Sequence, residues 1–411
     1  MKILVIAPQP FFQERGTPIA VKLAVEALSR KFTPDSNEGA EIDLVVYNEG
    51  EAVTIPGVSI HRIKSPGWLR GIRPGISCKK LLCDLILMVH ILKMVWKSRR
   101  QQYDIIHAVE ESAFIAWLIK KIFKIPYIYD MDSSLALQVT ERWWWSRPLL
   151  FIFQYFEGLA IRASLAVAPV CDALHIIAMN HGSDSSVLLR DISLLPDSED
   201  HSLSRQELFG TDIKASDIVI LYVGNLESYQ GIDLLLDAFN AICEEYPEAQ
   251  LRIVGGSTES ISSYAARYQG SPVMRQTHFL GPRPIHTLAG LLKNADILVS
   301  PRTKGNNTPM KVYSYLHSGT VVLATNLPTH TQVLTDKVSV LAEPNATDFG
   351  LALKKLLDNP ELRITIGDTA KATADQLYTK EAFEKQLSSL YDLVAKQLGT
   401  SQTSKLVVEN Q

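Results

Sequence analysis

Short, nearly continuous apolar runs alternate along the chain with longer stretches whose apolar residues recur every three or four positions. In the first half the runs cover 3–7, 43–47, 104–108, 126–130 and 165–169; in the second they cover 218–223, 250–254, 296–300, 320–325 and 338–342. Runs rich in Val and Ile, bounded by Gly, Pro or Asp, predict parallel strands buried on both faces. Helical patterns between them make each half an α/β doubly wound sheet. The polar stretch Pro196–Ser204 reads as a linker. It sets an N-terminal domain at 1–195 and a second at 205–375, with a last helix over 380–398 expected to pack back on the first domain. In such sheets ligands bind beyond the carboxyl ends of the strands, so the loops there carry the chemistry.

Two of these loops share a design. After run 3–7 comes Pro8–Pro18, where Thr17 suits an N-cap and Pro18 a first helical position, with a helix over 19–30 facing inward through Ile19, Leu23, Ala27 and Leu28. Gly16 would let a ligand approach the backbone, and the helix N-terminus suits an anion. After run 296–300, Thr308 suits a cap, Pro309 starts a helix running to about His317, and Gly319 stops it. Asn307, Lys311 and Ser314 are spaced to share one face, and Val312 and Leu316 take an inward stripe. Arg302, Lys304 and Lys311 converge on that helix start, a cradle for a diphosphate.

Composition narrows the classes. The 411 residues are 46% apolar and 21% charged, which favours packed domains over disorder, and a net charge of −3 argues against a nucleic-acid partner. Cys78, Cys83, Cys171 and Cys243 form no C-x-x-C pair and no zinc spacing, so buried thiols in a reducing compartment are expected. Residues 2–7, stopped by Pro8, read as a first strand rather than a signal peptide. Asp84, His90 and Lys93 interrupt the apolar stretch 81–96, and Glu157 and Arg162 interrupt 149–168, so neither is expected to span a bilayer. No P-loop, G-x-G-x-x-G, G-x-S-x-G or H-E-x-x-H pattern is present.

The segment Pro309-x-Lys311-Val312-Tyr313-Ser314-Tyr315-Leu316-x-Ser318-Gly319-x-Val321-Val322-x-Ala324-Thr325 resembles the group 1 (family 4) retaining glycosyltransferases. So do Tyr222–Leu226 through Gln230-Gly231, His278–Gly281, Asn294–Pro301 and the loop through Arg15-Gly16. The resemblance implies the GT-B fold, two Rossmann-like domains facing across a cleft, the second binding a nucleotide-diphosphate sugar. It departs where the family has a Glu-x7-Glu pair, here Asn306 and Ser314, and where the family's diphosphate-gripping Arg and Lys fall on Asn225 and Gln230. Donor contacts are therefore expected from Gly16, Arg15, Asn225, Gln230, Arg302, Lys304, Asn306, Asn307, Thr308, Pro309, Met310, Lys311 and Ser314.

Asp132 stands where the family commonly has a His beside the reacting carbon, which implies a role in orienting the acceptor hydroxyl. His107, Glu110 and Glu111 follow run 104–108 and are expected to line the acceptor site. Asp130-x-Asp132 also has the form of the metal-binding D-x-D of the GT-A fold, but it lies in the acceptor half and is read as coincidence, with no metal or other cofactor expected.

Residues 62–100 carry Arg62, Lys64, Arg70, Arg73, Lys79, Lys80, Lys93, Lys97, Arg99 and Arg100, interleaved with Trp68 and Trp96; Arg142–Arg147 adds three tryptophans. A basic, aromatic flank with an apolar stripe suits peripheral contact with an anionic membrane, here the inner face seen from the cytoplasm. The expectation is a hexosyl-type glycosyltransferase moving sugar to a hydroxyl of a glycan or lipid-linked acceptor with retention. A sugar-nucleotide epimerase or phosphorylase on this scaffold, or a non-catalytic glycan-binding homologue, remains open at this point.

Overall fold

The computed structural model describes residues 1–13, 16–32, 40–72, 77–98, 102–142, 148–196, 203–305 and 307–409. The chain divides into two compact units, Met1–Arg190 with Phe383–Gln411, and Asp191–Ala382.

The first unit holds strands β1 (Lys2–Ile6), β2 (Glu41–Val46), β3 (Val58–Arg62), β4 (Ile105–Val109), β5 (Tyr127–Met131) and β6 (Ala166–Pro169), in the order β3-β2-β1-β4-β5-β6. Every pairing is parallel, with Ile3 opposite both Ile42 and Ile105. Helix α1 (Gly16–Lys31) follows β1, and α2 (Cys78–Lys97), α3 (Ser112–Phe123), α4 (Leu135–Arg142), α5 (Leu150–Ala163) and α6 (Asp172–Asn180) follow in chain order. Helices α2, α3, α5 and α6 share one core with Leu4, Ile6, Ile106, Tyr127 and Val167 of the sheet. Helix α1 starts at Gly16, so Thr17 and Pro18 lie within its first turn rather than before it, and Ala24 and Val25, not Leu23, are buried.

The second unit holds α7 (Arg205–Phe209), β7 (Ile218–Val223), α8 (Ile232–Asn240), β8 (Ala249–Val254), α9 (Thr258–Arg267), β9 (Thr277–Gly281), α10 (Leu288–Asn294), β10 (Ile297–Ser300), α11 (Lys311–Ser318), β11 (Val322–Thr325), α12 (Pro328–Thr331), β12 (Val340–Ala342), α13 (Ala346–Asp358) and α14 (Pro360–Leu377). Its sheet is again parallel, ordered β12-β11-β10-β7-β8-β9. In both sheets the order reverses beside the first strand of the unit, the switch point where doubly wound sheets bind ligands.

Helix α15 (Lys380–Glu409) returns to the first unit from Phe383 onward. Phe383, Leu387, Leu390, Tyr391 and Val394 are buried, while Arg30 bonds Glu384 at 2.6 Å and Lys31 bonds Asp392 at 2.6 Å. No helix among the described residues is long and apolar enough to cross a membrane.

Candidate active site

The loop after β10 runs from Pro301 into α11. Thr308 does not cap that helix: α11 begins at Lys311 with Met310 at the cap position, and the Val312 and Tyr313 amides bond the carbonyls of Pro309 and Met310 at 2.9 and 3.2 Å. These tight bonds consume two of the amides that an open helix start would offer an anion. Gly319 does terminate the helix, at φ 78°. Thr308 is instead buried, and its Oγ1 has no partner among the described residues.

Polar groups nevertheless converge here. The Lys311 ammonium lies over the Tyr222 ring and 3.4 Å from Gln230 Oε1. Burial, and then Arg302, push its pKa well down. Arg302 Nη1 donates to the Asn307 carbonyl and to Thr329 Oγ1, each at 2.9 Å, and the guanidinium stacks 5.1 Å from the Tyr229 ring centroid. Its Nε is buried without a partner among the described residues. Thr329 Oγ1, at 2.6 Å, also engages the Asn307 carbonyl, so α12 braces the loop from behind.

Gln230 reaches this position because Gly231 has φ 76° and packs on Pro301; a Cβ there would fall 1.8 Å from the Pro301 carbonyl oxygen. The Val223 amide donates to Tyr315 Oη at 2.9 Å, tying the end of β7 to α11. Asn225 is exposed; its carbonyl accepts from the Tyr222 hydroxyl at 2.6 Å. Lys304 is exposed, and Asn307, Pro309 and Met310 are half-buried.

Ser314 is not on an open polar face. Helix α11 is buried nearly all round, Ser314 is 1% exposed, and its Oγ accepts the Leu194 amide at 2.9 Å. Gly16 opens α1 in the first unit, where an added Cβ would meet nothing within 4 Å. Arg15 and Asn306 lie outside the described residues.

In the first unit His107 is enclosed at 1% exposure. Its Nδ1 pairs with the Tyr391 hydroxyl of α15 at 3.0 Å and its Nε2 with Asp130 Oδ2 at 3.1 Å. With both ring nitrogens engaged, His107 holds Asp130 rather than offering itself to a ligand. Asp132 is half-buried just past β5.

Glu110 and Glu111 close on Lys80, a lysine that sequence reasoning placed on the basic flank. Lys80 pairs with Glu111 and stands 3.9 Å from Glu110 Oε2. One turn along α2, Asp84 accepts from the Tyr47 hydroxyl, and burial followed by the Glu111 charge pushes its carboxyl up to about 7. Arg62 also turns inward, to the Glu49 and Glu51 carbonyls.

Sequence reasoning missed Tyr222, Tyr229, Thr329, Lys80, Asp84 and Tyr47 as members of these clusters. Tyr222 and Tyr229 sit within or beside matched family segments and were within reach; the others act through tertiary contacts that leave no local signature.

Helix α2 carries two apolar stripes. Cys83, Leu87, Ile91 and Val95 enter the core, whereas Leu81, Leu82, Leu85, Val89 and Trp96 are exposed beside exposed Lys79, Lys93 and Lys97. Helix α5, in the same layer, exposes Phe151, Tyr155 and Phe156. Arg73, Arg99, Arg100 and the tryptophans at 143–145 lie outside the described residues.

Residues 204–373 match a family model described as glycosyl transferases group 1. A D-inositol 3-phosphate glycosyltransferase of Corynebacterium aurimucosum is 24% identical over 372 residues, 86% of each chain. A solved sucrose-phosphate synthase from Thermosynechococcus elongatus superposes with TM-score 0.74 at 18% identity, covering 96% of this chain and 99% of its own. Anabaena HepE, solved with UDP-glucose, gives TM-score 0.70 at 15% identity over 95% and 99%. The group 1 glycosyltransferase match thus lies within the second unit, and with its two parallel doubly wound sheets the chain shares the GT-B fold of these solved structures.

Proposed function

We propose that the second unit holds a nucleotide-diphosphate sugar and that the first carries the glycan or lipid-linked acceptor whose hydroxyl receives the sugar with retention. The observation that carries this reading is the convergence at the head of α11. There a desolvated Lys311 ammonium meets Gln230, and Arg302 Nε and Thr308 Oγ1 stand buried without partners among the described residues. A diphosphate supplies the negative charge that Lys311 lacks and acceptors for orphaned donors. Gln230 and Asn225, where the family has cations, leave Lys311 and Arg302 as the principal charges, with exposed Lys304 and half-buried Asn307 on the same loop. In this reading the protein cations neutralise the leaving diphosphate without a metal ion. The departing phosphate oxygen then takes the acceptor proton, and Asp132 orients the hydroxyl.

Uridine nucleotides are the first to screen, since HepE was solved with UDP-glucose. A thermal-shift screen of UDP-, GDP- and ADP-sugars should raise the melting temperature with one base, and Lys311→Met should abolish the shift. NMR of the product gives the anomeric configuration. Transfer to a second molecule excludes epimerisation, any turnover excludes a purely binding role, and loss of turnover in EDTA would defeat the metal-free mechanism.

The exposed apolar stripe of α2 between Lys79, Lys93 and Lys97 supports peripheral docking on an anionic membrane, the inner face of a cell envelope. It would bring the first unit to a lipid-linked acceptor.

A further inference from the structure

The ends of β2 and β4 and the start of α2 build a second polar cluster. Lys80 lies at its centre, half-buried, with a side chain 13% exposed; Glu110 and Glu111 are each 16% exposed. The Tyr47–Asp84 pair completes it. Glu111 pairs with the ammonium, and Glu110 and Asp84 set further carboxyl groups beside it. Arg62 forms no ion pair with these carboxylates among the described residues; its guanidinium donates to the Glu49 and Glu51 carbonyls. Beside Tyr47, whose amide donates to the Gln9 carbonyl at 3.1 Å, the Gln9 side chain is 6% exposed and its Nε2 has no partner among the described residues. The cluster thus offers carboxylate acceptors and a shared ammonium at the switch point of the sheet, with the Gln9 backbone bonded to that of Tyr47.

We infer that this cluster seats an uncharged polyhydroxyl ring of the acceptor and turns phosphorylated rings away. This rests on the reading that the first unit takes the acceptor. Hydroxyl groups match the set. Carboxylates accept from vicinal hydroxyls, and the Lys80 ammonium donates to their oxygens. A phosphate does not match it, because its negative charge would face two or three carboxylates across a lysine already paired. Any phosphate of the acceptor must therefore lie outside the cluster, and Glu110 and Glu111 set the specificity.

The test uses the full chain with saturating UDP, so that phosphate binding in the donor cradle is blocked. Two matched pairs of probes, myo-inositol with inositol 3-phosphate and glucose with glucose 6-phosphate, are titrated by saturation-transfer NMR. The neutral member of a pair should bind at least about tenfold more tightly than its phosphate. The double variant Glu110→Gln with Glu111→Gln should reverse that order by freeing Lys80, a gain that unfolding cannot mimic. Tighter binding of the phosphates by the native chain, no binding of any probe, or an unchanged ratio in the variant would overturn the inference. UDP binding is read first and separately. Its absence counts against the donor reading alone, and the same comparison without UDP then decides the acceptor cluster.

Discussion

The Lys311 ammonium stands 4.0 Å from the centroid of the Tyr222 ring. The aromatic face lets a cation persist at this desolvated position, with Gln230 as its polar neighbour. Replacing Tyr222 by Leu should weaken UDP binding by roughly five- to thirtyfold, the span of about 1–2 kcal/mol for a desolvated cation–π contact, and Tyr222→Phe by about twofold or less. Calorimetric titration of UDP measures both. Burial depresses the Lys311 pKa, so affinity should also fall as pH rises through its titration, and Lys311→Met should erase that dependence.

Ser314 tests what a buried hydroxyl does in α11. Its Oγ accepts the Leu194 amide at 2.9 Å, so Ser314→Ala leaves that amide without its partner. The expected loss is about 1–3 kcal/mol in urea denaturation. UDP affinity should stay within about twofold; a tenfold loss would restore Ser314 to the donor contacts.

Asp84 makes stability fall as pH rises. Unfolded, its carboxyl ionises near 3.8; folded, near 7, because burial and Glu111 oppose the charge. Between those values the folded state holds a proton that the unfolded state has released, so stability declines up to about pH 7 and then levels off. Asp84→Asn removes the decline. Its stability relative to the native chain should grow by roughly 2 kcal/mol from pH 5 to pH 8, read from denaturant midpoints.

His330 acts in the opposite sense. Buried, it donates through Nδ1 to the Thr325 carbonyl at 2.9 Å and accepts at Nε2 from Ser300 at 2.9 Å, and burial lowers its pKa from 6.5 to about 3. Below pH 6.5 the unfolded chain gains a proton that the folded chain refuses, so stability drops as pH falls toward 3. His330→Gln should be less stable at pH 7 yet lose about 1–2 kcal/mol less on going from pH 6.5 to 5.

The outer stripe of α2 gives a surface prediction. Leu85→Gln with Trp96→Ala should reduce sedimentation with phosphatidylglycerol vesicles by at least about fivefold, since each removes exposed apolar area available to the interface. The melting temperature should hold within a few degrees because neither side chain enters the core. High salt should weaken native binding.

Ten strands were legible because parallel strands buried on both faces leave continuous apolar runs. The two that were not, β3 and β9, are edge strands: Val58–Arg62 and Thr277–Gly281 are half-open to solvent and carry Ser, His and Arg or Thr and His within them. The loop before α11 was recognisable from its motif, but its cap was not. Thr308 and Pro309 look like a helix start, yet α11 begins only at Lys311 with Met310 at its cap position, and in the loop before it Arg302 and Thr329 hold the Asn307 carbonyl. Lys80 read as one of many surface cations because its partners, Glu110 and Glu111, are about thirty residues away in the chain, and only the sheet brings them together.

The second unit is one uninterrupted segment, whereas the first needs Phe383 onward to complete it. A fragment spanning 191–382 is therefore a rational excision for nucleotide titration. One ending at Arg190 would bare the surface that Leu387, Leu390 and Tyr391 cover and strip His107 of its hydroxyl partner. Dissection of this chain is thus asymmetric: the first unit is to be expressed with the distal helix spliced back or supplied in trans.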